Sequence, residues 1–485
     1  MSIQKLDRNS GQSVETGDAI SPIIQAVIAK HILNREFKAA LGILLPLLGQ
    51  NQTHPQLLDE TATCFWNLGD QTSALGLIRV LSDLRPDDAT VWNKYGAMAV
   101  SCGDSDTGKM AFSRALRLHP KSANTLAALN AITPFTRSSR QAGILKQLAQ
   151  SRKTANPDRA AAFNALGRIE ERAGNFPVAF RMYSQAKAVN KGVYQPAAFE
   201  RHLDSQLRLF QPEKMSEFSN YQNPRARFVF VVGLPRSGTT LVENMLTRHR
   251  DVTTIGEDAA LQTTLKRCRN TISRRHGPMG TWDWISHITP DDIADLRRYF
   301  TDLTADATTG EKYVVNKLPL NCLELGFASL LLPDAAFIFM ARHPLDVGLS
   351  NFCTNFHATH AFSRKLEWIA HLTRIVYSSV DDYASKLGPS LRLQSYRALV
   401  QSPDPQARLL LEHLGLDWDA ECLSPQLGQK IVRTASLTQV RRAINTDGLD
   451  KWKQYERQLQ PLVEALGGWN WISDWEEHDL NRAET

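Results

Sequence analysis

The sequence predicts two kinds of fold in one chain: helical repeats over roughly the first two hundred residues, then an α/β domain on a parallel sheet. Three observations carry this: self-similarity at a fixed offset, the β-branched run FVFVV at 228–232 passing straight into a glycine loop and a helical pattern, and a length of 485 residues. Domains average ~100–200 residues, so a chain of this size exceeds one core.

Laid against itself at an offset of 34, the chain aligns Gly69 with Gly103, Asp70 with Asp104, Leu84 with Leu118 and Pro86 with Pro120. Trp92, Gly96, Phe112, Ala115 and Pro120, and further on Gly167, Gly174, Ala179, Tyr183 and Ala186, resemble the tetratricopeptide (TPR) pattern. Paired helices approach closely only where one presents Gly or Ala to a bulky ring on its neighbour, and a proline stops each second helix. The stretch 21–48 reads as an earlier helix pair, and 126–159 has repeat length without the signature. Four or five repeats are expected within a domain at 19–205, behind a flexible polar leader at 1–18. Such an array offers a groove for a peptide or protein partner, or serves as a brace or a homo-oligomerisation arm. Both readings stay open.

Apolar residues at 42%, charged at 22% and aromatic at 8% describe a folded soluble protein. Residues 1–18 lack the basic stretch and apolar run of a secretory signal. The longest apolar patch, AALGILLPLLG at 39–49, is about half the ~20 residues a span requires, so no membrane span is expected. The six cysteines are scattered without a Cys-x-x-Cys, indicating neither disulfide framework nor metal site and making a cytoplasmic location the expectation. A net charge of +6 suits an anionic small ligand at least as well as nucleic acid, and no nucleic-acid partner is expected.

In VVGLPRSGTTLVEN, 231–244, a buried-strand pattern meets a loop with Gly233 and Gly238 and then helical spacing at Leu241, Val242, Met245 and Leu246. Such a turn points successive N–H groups inward and adds the positive end of the helix, a seat for an oxyanion. It nearly spells a Walker A loop, but Thr239 occupies the lysine position. The strand pattern at 335–341 ends in Arg342 where a Walker B aspartate would stand. Arg236, Lys317 after YVVN, and Arg342 are then the cations available to a ligand.

These residues resemble the sulfotransferases that use 3′-phosphoadenosine 5′-phosphosulfate (PAPS), most closely the tyrosylprotein sulfotransferase branch, preceded by repeats as in bacterial TPR-sulfotransferases. The resemblance covers roughly 225–470, within a domain placed at 225–475, and implies a P-loop-like parallel-sheet fold. It assigns Arg236, Ser237, Gly238, Thr239 and Thr240 to the donor's 5′-phosphosulfate, and Arg342 with Ser350, eight residues on, to its 3′-phosphate. The motif N-K-L-P gives Lys317 the bridging oxygen, the segment TASLTQVRRAIN followed by GLDKW places Ser436 near the sulfate and Lys451 near the 3′-phosphate, and Tyr396 joins the donor site. PAP is the implied product, and no metal is called for.

The acceptor hydroxyl needs a base. In TTIGEDAAL the branch's motif points to Asp258, whereas counting from Arg236 points to Glu257, the preferred candidate. His249 is the fallback, though it reads better as a helix-end residue. Two arginines that follow the base in the branch are missing. Lys266, Arg267, Arg269, Arg274 and Arg275 come later, and a solvated helix face accounts for them better than an acidic acceptor does. A third 3′-phosphate arginine of that branch is Thr354 here. The acceptor therefore stays open among tyrosyl, carbohydrate and small-molecule hydroxyls. A P-loop phosphotransferase and a non-enzymatic TPR scaffold with a vestigial nucleotide site are the alternatives. The segment 271–310 looks like a lid-side helical insertion.

Overall fold

The computed structural model describes residues 20–34, 36–190, 192–221, 223, 225–305, 310–356, 360–427 and 443–484. They fall into two compact units, residues 1–120 and 121–485.

The first unit holds α1 (Pro22–Leu33), α2 (Phe37–Gln50), α3 (Pro55–Leu68), α4 (Gln71–Leu84), α5 (Ala89–Ser101) and α6 (Ser105–Leu118). The 34-residue offset has a local cause. Asp70 and Asp104 cap α4 and α6 in the same way, their carboxylates accepting the Ser73 and Thr107 amides at 3.0 and 2.9 Å. A Cβ at Gly96 would lie 2.7 Å from the Phe112 ring, so the α5–α6 approach requires glycine there.

The second unit opens with α7 (Ala123–Ile132), α8 (Arg140–Gln150), α9 (Asn156–Arg172), α10 (Phe176–Val189), α11 (Pro196–Leu209) and the short α12 (Pro212–Ser216). Gly167 meets Tyr183 as Gly96 meets Phe112, with 2.4 Å between a Cβ there and the ring. The pairs α7–α8 and α9–α10 precede the sheet within this unit.

Five strands follow: β1 (Arg227–Gly233), β2 (Val252–Gly256), β3 (Tyr313–Asn316), β4 (Ala336–Ala341) and β5 (Leu391–Ser395), all parallel in the order β2-β3-β1-β4-β5. Between and after them lie α13 (Thr239–Leu246), α14 (Ala260–His276), α15 (Pro290–Thr304), α16 (Leu325–Leu331), α17 (Pro344–Cys353), α18 (Leu366–Leu387), α19 (Tyr396–Gln401), α20 (Pro403–Leu414), α21 (Gln460–Leu466) and α22 (Gly468–Glu484). Alternate residues of β1 serve opposite cores. Val229 and Val231 pack with Val242 of α13 and Leu410 of α20, while Phe228, Phe230 and Val232 join Leu265, Phe300, Phe327 and Leu372 on the other face. Burial on both faces is why the strand reads as an unbroken apolar run. No described helix is long and apolar enough to cross a membrane.

The described residues 271–305 pack into the core and do not form a lid over the loop. Trp282, Trp284 and Phe300 are buried in the core, and Phe300 meets Phe228 edge-on at 5.0 Å near the start of β1, away from the strand ends that carry the loop.

Candidate active site

Each strand ends in a residue singled out above. β1 ends at Gly233 and opens the loop; Glu257 follows β2, Lys317 β3, Arg342 β4 and Tyr396 β5. Ligands of open parallel sheets bind outside these carboxyl ends, where strand order reverses. The order puts the loop in the middle, a carboxylate and lysine on one side and an arginine and tyrosine on the other.

The loop is tightly specified. Gly233, at φ 149°, would bring a Cβ to 2.7 Å from Ser237 Oγ and 3.0 Å from the Met340 carbonyl. Gly238, at φ 112°, would drive one into the Tyr396 ring at 2.5 Å. Arg236 holds a left-handed φ of 74° without being glycine, a strain of about 1 kcal/mol that clusters at functional sites. Thr239 and Thr240 begin α13, which has no side-chain cap on its first amides. Ser237 Oγ is buried with no hydrogen-bond partner among the described residues.

On the β4–β5 side, Arg342 Nη1 donates to the Arg236 carbonyl at 2.9 Å and Nη2 to the Gly448 carbonyl at 2.6 Å. Its guanidinium lies 4.4 Å from the Tyr396 ring centroid, and Arg342 Nε is buried without a partner among the described residues. Arg236 Nε donates to Ser350 Oγ at 2.9 Å. Burial first, then the neighbouring Arg342 and Arg168, pull the Arg236 guanidinium down to about 10. Lys451 opens a short turn after Asp450 and is exposed. Asp346 of α17 positions that turn by accepting the Asp450 and Trp452 amides at 2.9 and 3.1 Å.

On the β2–β3 side, Lys317 is buried with its ammonium 2.5 Å from Glu257 Oε1 and 3.5 Å from Glu243 Oε2. Glu243, on α13, also accepts from Thr254 Oγ1 at 2.8 Å. Burial raises its carboxyl above the ordinary range, with Lys317 and Thr254 opposing. Glu257 keeps 38% of its side chain exposed, so it touches both the buried lysine and solvent. Asp258 instead accepts the Ala260 amide at 2.7 Å at the start of α14.

Ser436 lies outside the described residues. His249 is a helix-end residue: Nδ1 accepts the Asp251 amide and Nε2 faces the Asp417 carbonyl. His343 is stacked on Trp452 and bonded to Glu476. Of the later basic residues, Arg267 covers Tyr299, Arg269 lies over Trp282 and Arg275 pairs with Asp292, which gives three of them packing partners.

Sequence reasoning missed Glu243 and Asp346. The signal for Glu243 was a carboxylate amid the apolar spacing of Leu241, Val242, Met245 and Leu246. Asp346 carried none, because its partners lie about a hundred residues away.

A family model described as "Sulfotransferase family" matches residues 229–420. The chain is 27% identical over 404 residues to an uncharacterized protein of Aquifex aeolicus, covering 81% of this chain and 52% of that one. It thus spans about half the length of that relative. It is 25% identical over 246 residues to protein-tyrosine sulfotransferase A of Caenorhabditis elegans, covering 47% of this chain and 62% of that one. Among solved structures it resembles the sulfotransferase domain of the Synechococcus PCC 7002 olefin synthase, with 19% identity, a TM-score of 0.36, and coverage of 48% of this chain and 89% of that one. It also resembles the TPR domain of P58(IPK), with 11% identity, a TM-score of 0.21, and coverage of 90% and 98%. Residues 229–420 thus match the sulfotransferase family, and paired helices precede them.

Proposed function

We propose that this domain transfers the sulfuryl group of PAPS to an acceptor hydroxyl by in-line displacement. One observation carries the reading: the loop, which holds Arg236, has the Glu257–Lys317 pair on one side and Arg342 with Ser350 on the other. A donor with phosphates at both ends of its nucleoside and a sulfuryl group at one end fits such a division. Ser237 Oγ and Arg342 Nε, buried and unpartnered among the described residues, are donors of the kind an anion satisfies. The loop's amides and the start of α13 take the 5′-phosphosulfate, and Arg342 with Ser350 takes the 3′-phosphate.

In this mechanism the acceptor oxygen attacks sulfur as the bond from sulfur to the bridging oxygen breaks, and PAP leaves. Glu257 takes the acceptor proton. Lys317 has three N–H donors and two carboxylate neighbours, which leaves one donor for the charge growing on the bridging oxygen. The engagement of Asp258 with α14 supports Glu257 as the base. Positioning and fixed cations supply most of the effect, as in phosphoryl transfer.

The test is transfer of labelled sulfate from PAPS to a panel of tyrosyl peptides, glycans and phenols, in wild type, Glu257→Gln and Asp258→Asn. Loss of transfer in Glu257→Gln at unchanged PAP affinity supports the assignment. Loss only in Asp258→Asn would reassign the base, and PAP binding without transfer to any acceptor would favour a scaffold.

A further inference from the structure

Arg168 lies near the end of α9, in the last complete helix pair, yet one of its partners belongs to the donor-side helix. Its Nη2 donates to the Cys353 carbonyl at 3.4 Å and its Nη1 to Glu171 Oε2 at 3.3 Å. Asn164, one turn earlier on the same face, donates to the same carbonyl at 2.7 Å. Cys353 ends α17, one turn beyond Ser350, and Thr354 Oγ1 closes that turn on the Ser350 carbonyl at 2.7 Å. Ser350 Oγ in turn accepts from Arg236. α10 adds a second amine donor at the same helix end, where Lys187, pulled down to about 7 by burial, donates to the Thr354 carbonyl at 2.7 Å and the Asn351 carbonyl at 3.3 Å.

The Arg168 side chain is 43% exposed, and its guanidinium lies 5.6 Å from the Tyr183 ring centroid. It has five N–H donors and gives one to each of two partners. Its nearest carboxylate, Glu171, is shared with the hydroxyls of Tyr183 at 2.9 Å and Tyr455 at 3.1 Å. The charge of Arg168 acts on Arg236 together with that of Arg342. Arg236, bonded to Ser350, thus feels two further guanidinium charges, and a phosphate dianion beside it would offset that repulsion.

We propose that Arg168 is a further donor-binding residue, a repeat-borne guanidinium that completes the pocket for the donor's 3′-phosphate. The helical array then supplies part of the nucleotide site, and this rests on the PAPS reading above. The ligand class is a ribose 3′-phosphate, and a ligand without that group gains nothing from Arg168.

Calorimetric titration of the full chain with PAP and with adenosine 5′-monophosphate, which lacks the 3′-phosphate, tests this. Arg168→Gln keeps a donor for the Cys353 carbonyl while removing the charge. Its PAP affinity is expected to fall about 10–100-fold, as for a lost charged hydrogen bond, with monophosphate affinity unchanged. Arg168→Lys should recover part of the loss. Glu171→Gln, which frees Arg168 from its carboxylate, should strengthen PAP binding a few-fold. Equal weakening of both ligands in Arg168→Gln, or unaltered PAP binding there or in Glu171→Gln, overturns the assignment while the donor reading stands. A wild-type protein that does not prefer PAP to the monophosphate overturns the donor reading itself.

Discussion

Lys317→Met separates chemistry from stability. Lys317 is buried, and its loss leaves Glu243 inside the protein without a cation. Deleting one partner of a buried ion pair costs about 3–5 kcal/mol. Here Glu243 keeps its bond from Thr254 at 2.8 Å and can neutralise itself by binding a proton, so the lower figure, about 3 kcal/mol at neutral pH, is expected. Burial already raises that carboxyl, and without Lys317 it rises further. The folded chain then holds a proton that the unfolded chain releases near ~4.3, so the penalty is absent below about pH 4 and grows as pH rises through the folded value. Adding Glu243→Gln removes the unpaired charge and should restore stability. On the proposed mechanism transfer should not return, because the group assigned to the bridging oxygen is gone, a loss of about 10²–10³ in kcat. Scanning calorimetry between pH 5 and 8 and labelled-sulfate kinetics on both variants read the two effects. Transfer within a few-fold of wild type in either variant refutes the catalytic role of Lys317, and a pH-independent penalty refutes the role given to Glu243.

Gly238→Ala should lower donor affinity at least tenfold, measured by PAP titration, because the added Cβ falls 2.5 Å from the Tyr396 ring at a φ of 112°. In α9, Gly167→Ala should destabilise by about 1–2 kcal/mol on thermal unfolding, overpacking against Tyr183 outweighing the ~1 kcal/mol gain in helix propensity. Gly143→Ala in α8, where no atom lies within 4 Å of the added Cβ, should show the gain alone. Burial holds His413 down to about 4 while its Nε2 bonds the Phe337 carbonyl. The unfolded chain protonates it near ~6.5, so it contributes stability that falls between pH 6.5 and 4, by about 2 kcal/mol after allowing for partial exposure, and His413→Gln should flatten that slope.

What the sequence made legible was local. The 34-residue offset recorded N-caps and a glycine-to-ring contact, each specified within one helix pair. The apolar run of β1, the glycines of the loop and the cation after each of β3 and β4 follow from short-range pattern and a parallel-sheet arrangement. The less legible residues depend on distant partners. Glu243 is explained by a lysine after β3 and a threonine of β2, Asp346 by the turn at 450–452, and Arg168 in part by the end of α17. The choice between Glu257 and Asp258 turned on an inserted residue, and the geometry supports Glu257, whose neighbour's carboxylate is engaged by the start of α14. The lid-side reading of 271–310 failed for the described residues 271–305 because a helical pattern does not say on which part of the sheet it packs.

The most direct measurement is calorimetric titration of the wild-type chain with PAP, with ADP, and with ATP in the presence of magnesium. A PAPS-dependent site binds PAP at least tenfold more tightly than ADP, a preference that Arg342→Ala cuts by about tenfold or more, since one charged hydrogen-bond pair is worth about 1.5–3 kcal/mol. Tighter binding of magnesium-ATP than of PAP would contradict sulfuryl transfer and return the loop to the phosphotransferases.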